Sequence, residues 1–390
     1  MRLWRRGGEV VREIPAGLFL VALMTPGLLA QKNAPKPDPK AESTAQAQAQ
    51  AQQQEIQTLV RLADSAMSGQ SAPAEFPIQF QNDFLKAQGS RVWVPIILTL
   101  DPAKVASPAL TLYLRVVPRG MTAPPAAPAP AAAASEKSGK DTKDKKKDSK
   151  APATAAPPPA APAYPYEDAS VLDLKPIPGQ PLRIQRGIGV PAGSYDLYIV
   201  LHERGAAAAP VAAAPPAAAT GKTSVLKQPL DVPNFGGEFS TSSVILAERV
   251  DQLPTPITPD QQSERPYAFG QTEIVVSPDH KFKKSQELIV LLQIYNPMLT
   301  PEKKFNLEAT YTFYRQDAGT EKRFNSTEPQ TFSSDTMGAG FDPSGNSSIQ
   351  AGQGVPLQSF LEGAYRLEIK ITDKLSAKVL TQNVNFAVTP

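Results

Sequence analysis

Few residues in this chain have types and spacings that could do chemistry. Gly187-Ile188-Gly189-Val190-Pro191-Ala192 fits the spacing of a dinucleotide fingerprint, but no helix pattern follows, Pro191 interrupts, and an alternating strand begins at once. Gly221-Lys222-Thr223 ends like a phosphate loop, yet Pro216 stands where the earlier glycine is required. Asp342, Ser344 and Asn346 offer oxygens at alternate positions, but Ser347 and Gln353 occupy the places where a calcium loop needs glycine and glutamate. The two histidines, His202 and His280, lie far apart, and His202-Glu203 lacks the second histidine that a zinc protease carries four residues on. Cysteine is absent, which removes disulfides, thiolate ligands, a cysteine nucleophile and a lipidated cysteine. There is no Gly-x-Ser-x-Gly elbow, and nothing marks a pair of carboxylates. The expectation is a protein that is not an enzyme, with no catalytic, cofactor-binding or metal-binding residues and no cofactor.

The glycine motif has a different meaning because it occurs twice. Ile184-Gln185-Arg186-Gly187-Ile188-Gly189-Val190-Pro191 returns as Ile349-Gln350-Ala351-Gly352-Gln353-Gly354-Val355-Pro356, identical at six of eight positions. Each copy leads through a glycine into an alternating strand, Gly193-Ser194-Tyr195 in one and Gly363-Ala364-Tyr365 in the other. Asp101-Pro102 and Asn296-Pro297 stand at matching places, nine residues before strands that begin at Leu110 and Phe305. A loop shared by two strand orders reads as a structural turn that delivers Tyr195 and Tyr365 to their cores. The Gly-x-Tyr spacing suggests a tyrosine corner, its hydroxyl returning to upstream backbone in both copies.

The elements around these motifs alternate with period two. Val92, Val94, Ile96 and Leu98 face one side and Trp93 and Ile97 the other, so both faces of this strand are apolar and it belongs between layers. Leu110, Leu112, Leu114 and Val116 alternate with Thr111, Tyr113 and Arg115, which predicts a half-exposed strand. Leu288 to Ile294, Phe305 to Phe313 and Tyr365 to Ile371 repeat the pattern. About seven short strands per unit predict a mainly β fold, two tandem immunoglobulin-like antiparallel β-sandwiches with an N-terminal helix and disordered Ala/Pro insertions.

Composition places the remaining segments. Residues 1–30 carry Arg2, Arg5, Arg6 and Arg12 ahead of an apolar run from Ile14 to Ala30, the pattern of a signal peptide. Uncleaved, residues 14–30 would anchor the chain in the inner membrane. Residues 31–45 read as a flexible spacer and 46–69 as a helix whose stripe is Ile56, Leu59, Val60, Ala63, Ala66 and Met67. The first sandwich spans 74–250, with insertions at about 119–165 and 205–221. A proline-rich linker covers 251–268, and the second sandwich occupies 269–390. The formal charge of +3 comes from the leader and from a lysine block between Glu136 and Lys150, leaving a nearly neutral body that excludes a nucleic-acid-binding face.

Phe84-Leu85-Lys86-Ala87-Gln88 followed by Val94-Pro95, the strand from Gly193 to Arg204 and the closing segment from Leu361 to Val388 resemble uncharacterised exported bacterial envelope proteins. The closing segment is also similar to the β modules that accompany the Gly-Trp-x-Thr-Asp domain of secreted bacterial proteins. The Gly-Trp motif itself is missing, since neither Trp4 nor Trp93 follows a glycine. The expected role is therefore non-enzymatic: an exported, periplasmic or extracellular protein with a structural or protein-interaction role in the bacterial cell envelope. Its partner would be an envelope protein. The alternative is a pair of glycan-binding sandwich modules that contact polysaccharide through Tyr113, Tyr198 and Trp93. Nucleic acid is excluded as a partner, and membrane enters only if the N-terminal segment stays uncleaved.

Overall fold

The computed structural model describes residues 39–121, 164–204, 221–317, 319–337, 341–342 and 348–390. The expected leader, most of the spacer and nearly all of both insertions lie outside these residues. Among the described residues no helix is long and apolar enough to cross a membrane.

The chain opens with α1 (Pro39–Met67), which starts earlier than the apolar stripe predicts because the alanine- and glutamine-rich stretch before it also favours helix. The first sandwich follows. One sheet contains β1 (Ile78–Asn82), β2 (Leu85–Lys86), β3 (Arg91–Leu100) and, beyond the next two strands in sequence, β6 (Leu182–Pro191). The facing sheet runs in the order β5 (Tyr166–Asp173), β4 (Ala109–Pro118), β7 (Gly193–Glu203), β8 (Thr223–Val232). Val92, Val94, Ile96 and Leu98 project from β3 into a core shared with Leu110, Leu112, Leu114 and Leu197. Alternation thus assigns one face of each strand to this core.

The second sandwich repeats the arrangement. Its first sheet holds β9 (Ser240–Thr241), β10 (Ile245–Gln252), β11 (Ala268–Phe269), β12 (Thr272–Val276), β14 (Glu287–Tyr295) and β18 (Ile349–Pro356). The other contains β13 (Lys281–Lys283), β15 (Asn306–Asp317), β16 (Thr320–Ser326), β17 (Gln330–Ser333), β19 (Gly363–Asp373) and β20 (Val379–Thr389). Leu288, Val290, Leu292 and Ile294 meet Leu307, Tyr311, Phe313, Leu367 and Ile369 between them.

Five expectations need correction. The repeated motif is a strand rather than a loop: β6 pairs along β3 and β18 along β14 in antiparallel register. Its glycines are strand residues, and two of them have a packing cause. A Cβ on Gly187 would lie 2.0 Å from the Trp93 ring, and one on Gly352 would lie 2.8 Å from Leu291 Cδ2.

The strand from Ile245 pairs with β14, so it builds the second sandwich although it was expected to close the first. The stretch expected as a linker, 251–268, carries the end of β10, a one-turn helix α2 (Pro259–Gln262) and the start of β11. Several of its main-chain groups bond to folded strands, which is why its prolines do not make it a free tether.

The outer face of β4 is buried, because α1 lies across it. Leu59 and Ala63 pack on Tyr113, Val117, Tyr198 and Val200. Beneath the helix Arg115, with its side chain 3% exposed, pairs with Asp64 and with Glu167, and Tyr113 donates to Glu167. Burying a guanidinium is costly unless its donors are satisfied, and two carboxylates satisfy this one. Tyr113 and Tyr198 are therefore roofed and unavailable to a glycan.

Finally, the tyrosine corner forms in only one copy. The Tyr365 hydroxyl donates to the Leu361 carbonyl at 2.8 Å. The Tyr195 ring instead folds over Gly193, its oxygen 3.1 Å from where a Cβ would stand, and its hydroxyl has no hydrogen bond among the described residues. Gly193 and Gly363 have φ of 154° and 138°, values that a side chain disfavours, which is why glycine precedes both strands.

Candidate functional site

The candidate site is the junction between the sandwiches, where the outward face of β3 meets the outward face of β10, β12 and β14. Period two makes this junction apolar: Ile97 and Trp93 leave β3 on the side opposite the core and meet Ile245, Tyr267, Val276 and Leu291. Burial there is deep, with Ile97 and Tyr267 each 1% exposed.

Polar contacts fix the junction in one arrangement. Trp93 Nε1 donates to the Pro266 carbonyl at 3.0 Å, and the Lys86 N–H donates to the Tyr295 hydroxyl at 2.9 Å. Phe84 and Ser243 exchange two hydrogen bonds, the Phe84 N–H to Ser243 Oγ at 2.9 Å and the Ser243 N–H to the Phe84 carbonyl at 3.0 Å. The Gly187 N–H donates to the Ser263 carbonyl at 2.7 Å. Tyr267 donates its hydroxyl to Asp83 Oδ2 at 2.6 Å. Burial pushes the Asp83 carboxyl up to about 6, against the smaller opposing effects of the Tyr267 and Ser243 hydrogen bonds. Tyr267 is itself held well above the usual phenol range by burial and by the neighbouring Asp83.

His280 belongs to the same seam. Its Nε2 lies 3.3 Å from Gln81 Nε2 and its Nδ1 lies 3.1 Å from the Asn385 carbonyl. Burial lowers its pKa, in keeping with a neutral ring that accepts from Gln81 and donates to the carbonyl. His202 is remote, paired with Thr223 Oγ1 at 2.8 Å on β7. Among the described residues neither histidine hydrogen-bonds to a carboxylate.

The other sequence candidates are structural where they are described. Gly221 lets the chain pass against the Glu203 carbonyl, and the Lys222 ammonium donates to the Lys104 carbonyl. Ser344 and Asn346 lie outside the described residues, while Gln353 is a strand residue of β18. Among the described residues no group of three or more His, Asp or Glu is placed to hold a metal ion.

A groove opens along the junction. It encloses about 830 Å³ between Lys86, Gln88, Trp93, Tyr166, Gln262, Phe269 and Gln293, with the backbone of Gly187 and Gly189 in its wall. Sharing Leu85, Phe269 and Gln293, a smaller apolar pocket of about 210 Å³ continues it between Ile245, Val250, Ile274 and Leu291. Of the three aromatic residues that the sequence suggested as a glycan platform, Trp93 alone reaches this groove. The sequence did not point to Tyr166, Phe269 or the glutamines, since their convergence depends on the packing of one sandwich on the other.

No family model matches the chain, and no curated protein does. Among solved structures, a calcium binding mutant of Bacteroides uniformis beta-glucuronidase 2 aligns with 80% of this chain and 33% of its own, at 10% identity and a TM-score of 0.22. This chain thus spans about a third of the length of that protein, and a likeness so slight carries no argument about activity.

Proposed function

We propose that this is a non-enzymatic exported protein with a structural or protein-interaction role in the bacterial cell envelope, and that it binds through the groove at the junction of its sandwiches. One observation carries the reading: walls from both units line a groove whose aromatic and amide side chains are suited to binding, while its polar contacts to β3 and β6 hold the walls in place. Pre-organisation of this kind lowers the ordering cost of association. The N-terminal arginines and apolar run support export.

The test is photo-crosslinking in intact cells, with the crosslinker at Gln88 on the groove rim or at Lys322 on distant β16. Gln88 is expected to yield a discrete envelope-protein adduct that Lys322 does not. Adducts at neither position, or a protein retained entirely in the cytoplasm on fractionation, would overturn the proposal.

A further inference from the structure

The groove wall includes an edge of β-sheet. β6 pairs with β3 on one side only. Pro95 lies opposite Gly187, has no N–H, and sends its carbonyl the other way to the Asp83 N–H at 3.0 Å. That pair is therefore a non-hydrogen-bonded rung, and by antiparallel alternation Gln185, Gly187 and Gly189 all direct their main-chain groups outward. The Ser263 carbonyl occupies one of these places, at Gly187. Gly189, two residues on, faces the groove with its N–H and carbonyl unpaired among the described residues.

We propose, building on the binding role above, that the groove takes an extended stretch of a partner polypeptide laid along the edge of β6. One apolar side chain of that stretch sits in the pocket between Ile245, Val250, Ile274 and Leu291. Three observations select this occupant. The edge is already used by polypeptide, since the segment ending in Ser263 takes the neighbouring place. The apolar pocket continues the interface between the sandwiches, sharing Leu85, Ile245, Phe269, Ile274 and Leu291 with it, and its size suits a single side chain. Lys86 is the one charged side chain on the groove wall among the described residues, so a partner with a carboxylate beside its apolar residue is favoured. Main-chain bonds along a strand edge, with pockets for alternate side chains, are a general mode of peptide capture.

The experiment is selection of a random peptide library on the immobilised full chain, followed by titration of the enriched peptides against two variants. Gly189→Pro removes the outward N–H and adds a ring there, at an edge position where proline is tolerated. Val250→Glu places a charge at the mouth of the apolar pocket, at a residue already 43% exposed. Enriched peptides are expected to share an apolar residue next to an acidic one. Each variant should weaken them at least tenfold while the thermal midpoint stays unchanged. Failure to enrich, or peptides whose affinity both variants leave within twofold, would overturn the proposal. A shift of Trp93 fluorescence with chitotetraose in place of peptide binding would also overturn it, and would reassign the groove to glycans. Crosslinks from Gln88 that persist without peptide binding would leave the broader binding role standing.

Discussion

In the first sandwich the outer face of β4 is roofed by α1, whereas in the second no helix among the described residues lies across the matching face of β15. Register against the strands of Tyr195 and Tyr365 sets Thr111, Tyr113 and Arg115 at the places of Glu308, Thr310 and Thr312. The first three are buried, and the second three are half-buried. The glycine strands differ in what they meet: Gly187 of β6 lies under the Trp93 ring, while Gly352 of β18 faces a methyl of Leu291 and the Val290 carbonyl. On β4 and β15 the inward face is apolar in both copies while the outward residues differ, whereas in β6 and β18 the outward positions of the motif are identical and the inward pair Ile188 and Gln353 differs.

The largest predicted effect is at the junction itself. Asp83 has its pKa raised from 3.8 to about 6 by burial, so its contribution to stability is fully present in acid and is lost as pH rises through about 6. A shift of this size corresponds to about 3 kcal/mol. Urea unfolding at pH 4, 6 and 8 should show Asp83→Asn gaining on the native protein by about that amount across the range. A difference that stays flat with pH would mean that Asp83 is not buried at a closed junction.

Replacing the paired glycines tests the divergence directly. Gly187→Ala must displace an indole ring held by Pro266, and should cost about 2 to 3 kcal/mol and shift Trp93 emission to the red. Gly352→Ala needs only a leucine methyl to move and should cost less than about 1 kcal/mol. Equal costs would refute the idea that the first copy of the motif has been recruited to the junction.

Arg115→Ala leaves Asp64 and Glu167 without their cation and loosens α1, at a cost of about 2 kcal/mol, since both carboxylates can turn partly to water. Thr312→Ala at the matching place loses one hydroxyl contact, to Ser326, and should cost less than about 1 kcal/mol. Thermal unfolding, together with proteolysis of the helix, would separate the two.

Much of the architecture was legible because inward alternation depends only on local sequence. Val92 to Leu98 and Leu288 to Ile294 announce core strands whatever they pair with, and the two apolar faces of β3 anticipated a layer on each side. What stayed hidden depends on partners distant in sequence. Gly187 and Gly189 read as a turn because glycine usually marks one, yet the cause at Gly187 is a ring that arrives from β3. The prolines of 251–268 read as a tether, yet the carbonyls of Ser263 and Pro266 bond to β6 and Trp93. The half-exposed face of β4 could not be recognised as a docking surface until Arg115 was seen beneath the helix. The groove combines all these contacts, so no single stretch of sequence foreshadowed it.

The smallest effect separates the two tyrosines, which occupy the same place in the two copies of the unit. Tyr365 is fully buried against Phe324, Phe360 and Phe386, and its hydroxyl closes the corner on the Leu361 carbonyl. Tyr365→Phe therefore removes a hydrogen bond and leaves the carbonyl to find water at the edge of the sheet, at a cost of about 1 kcal/mol. Tyr195 lies at the matching place, but its hydroxyl bonds to nothing described, so Tyr195→Phe should be neutral to within about 0.3 kcal/mol. Denaturant midpoints of the two variants decide the matter. If Tyr195→Phe costs as much as Tyr365→Phe, the corner has survived in both copies. If only Tyr365→Phe costs, divergence has reached the edge of the first core, next to the turn that carries the chain from β6 in one sheet to β7 in the other.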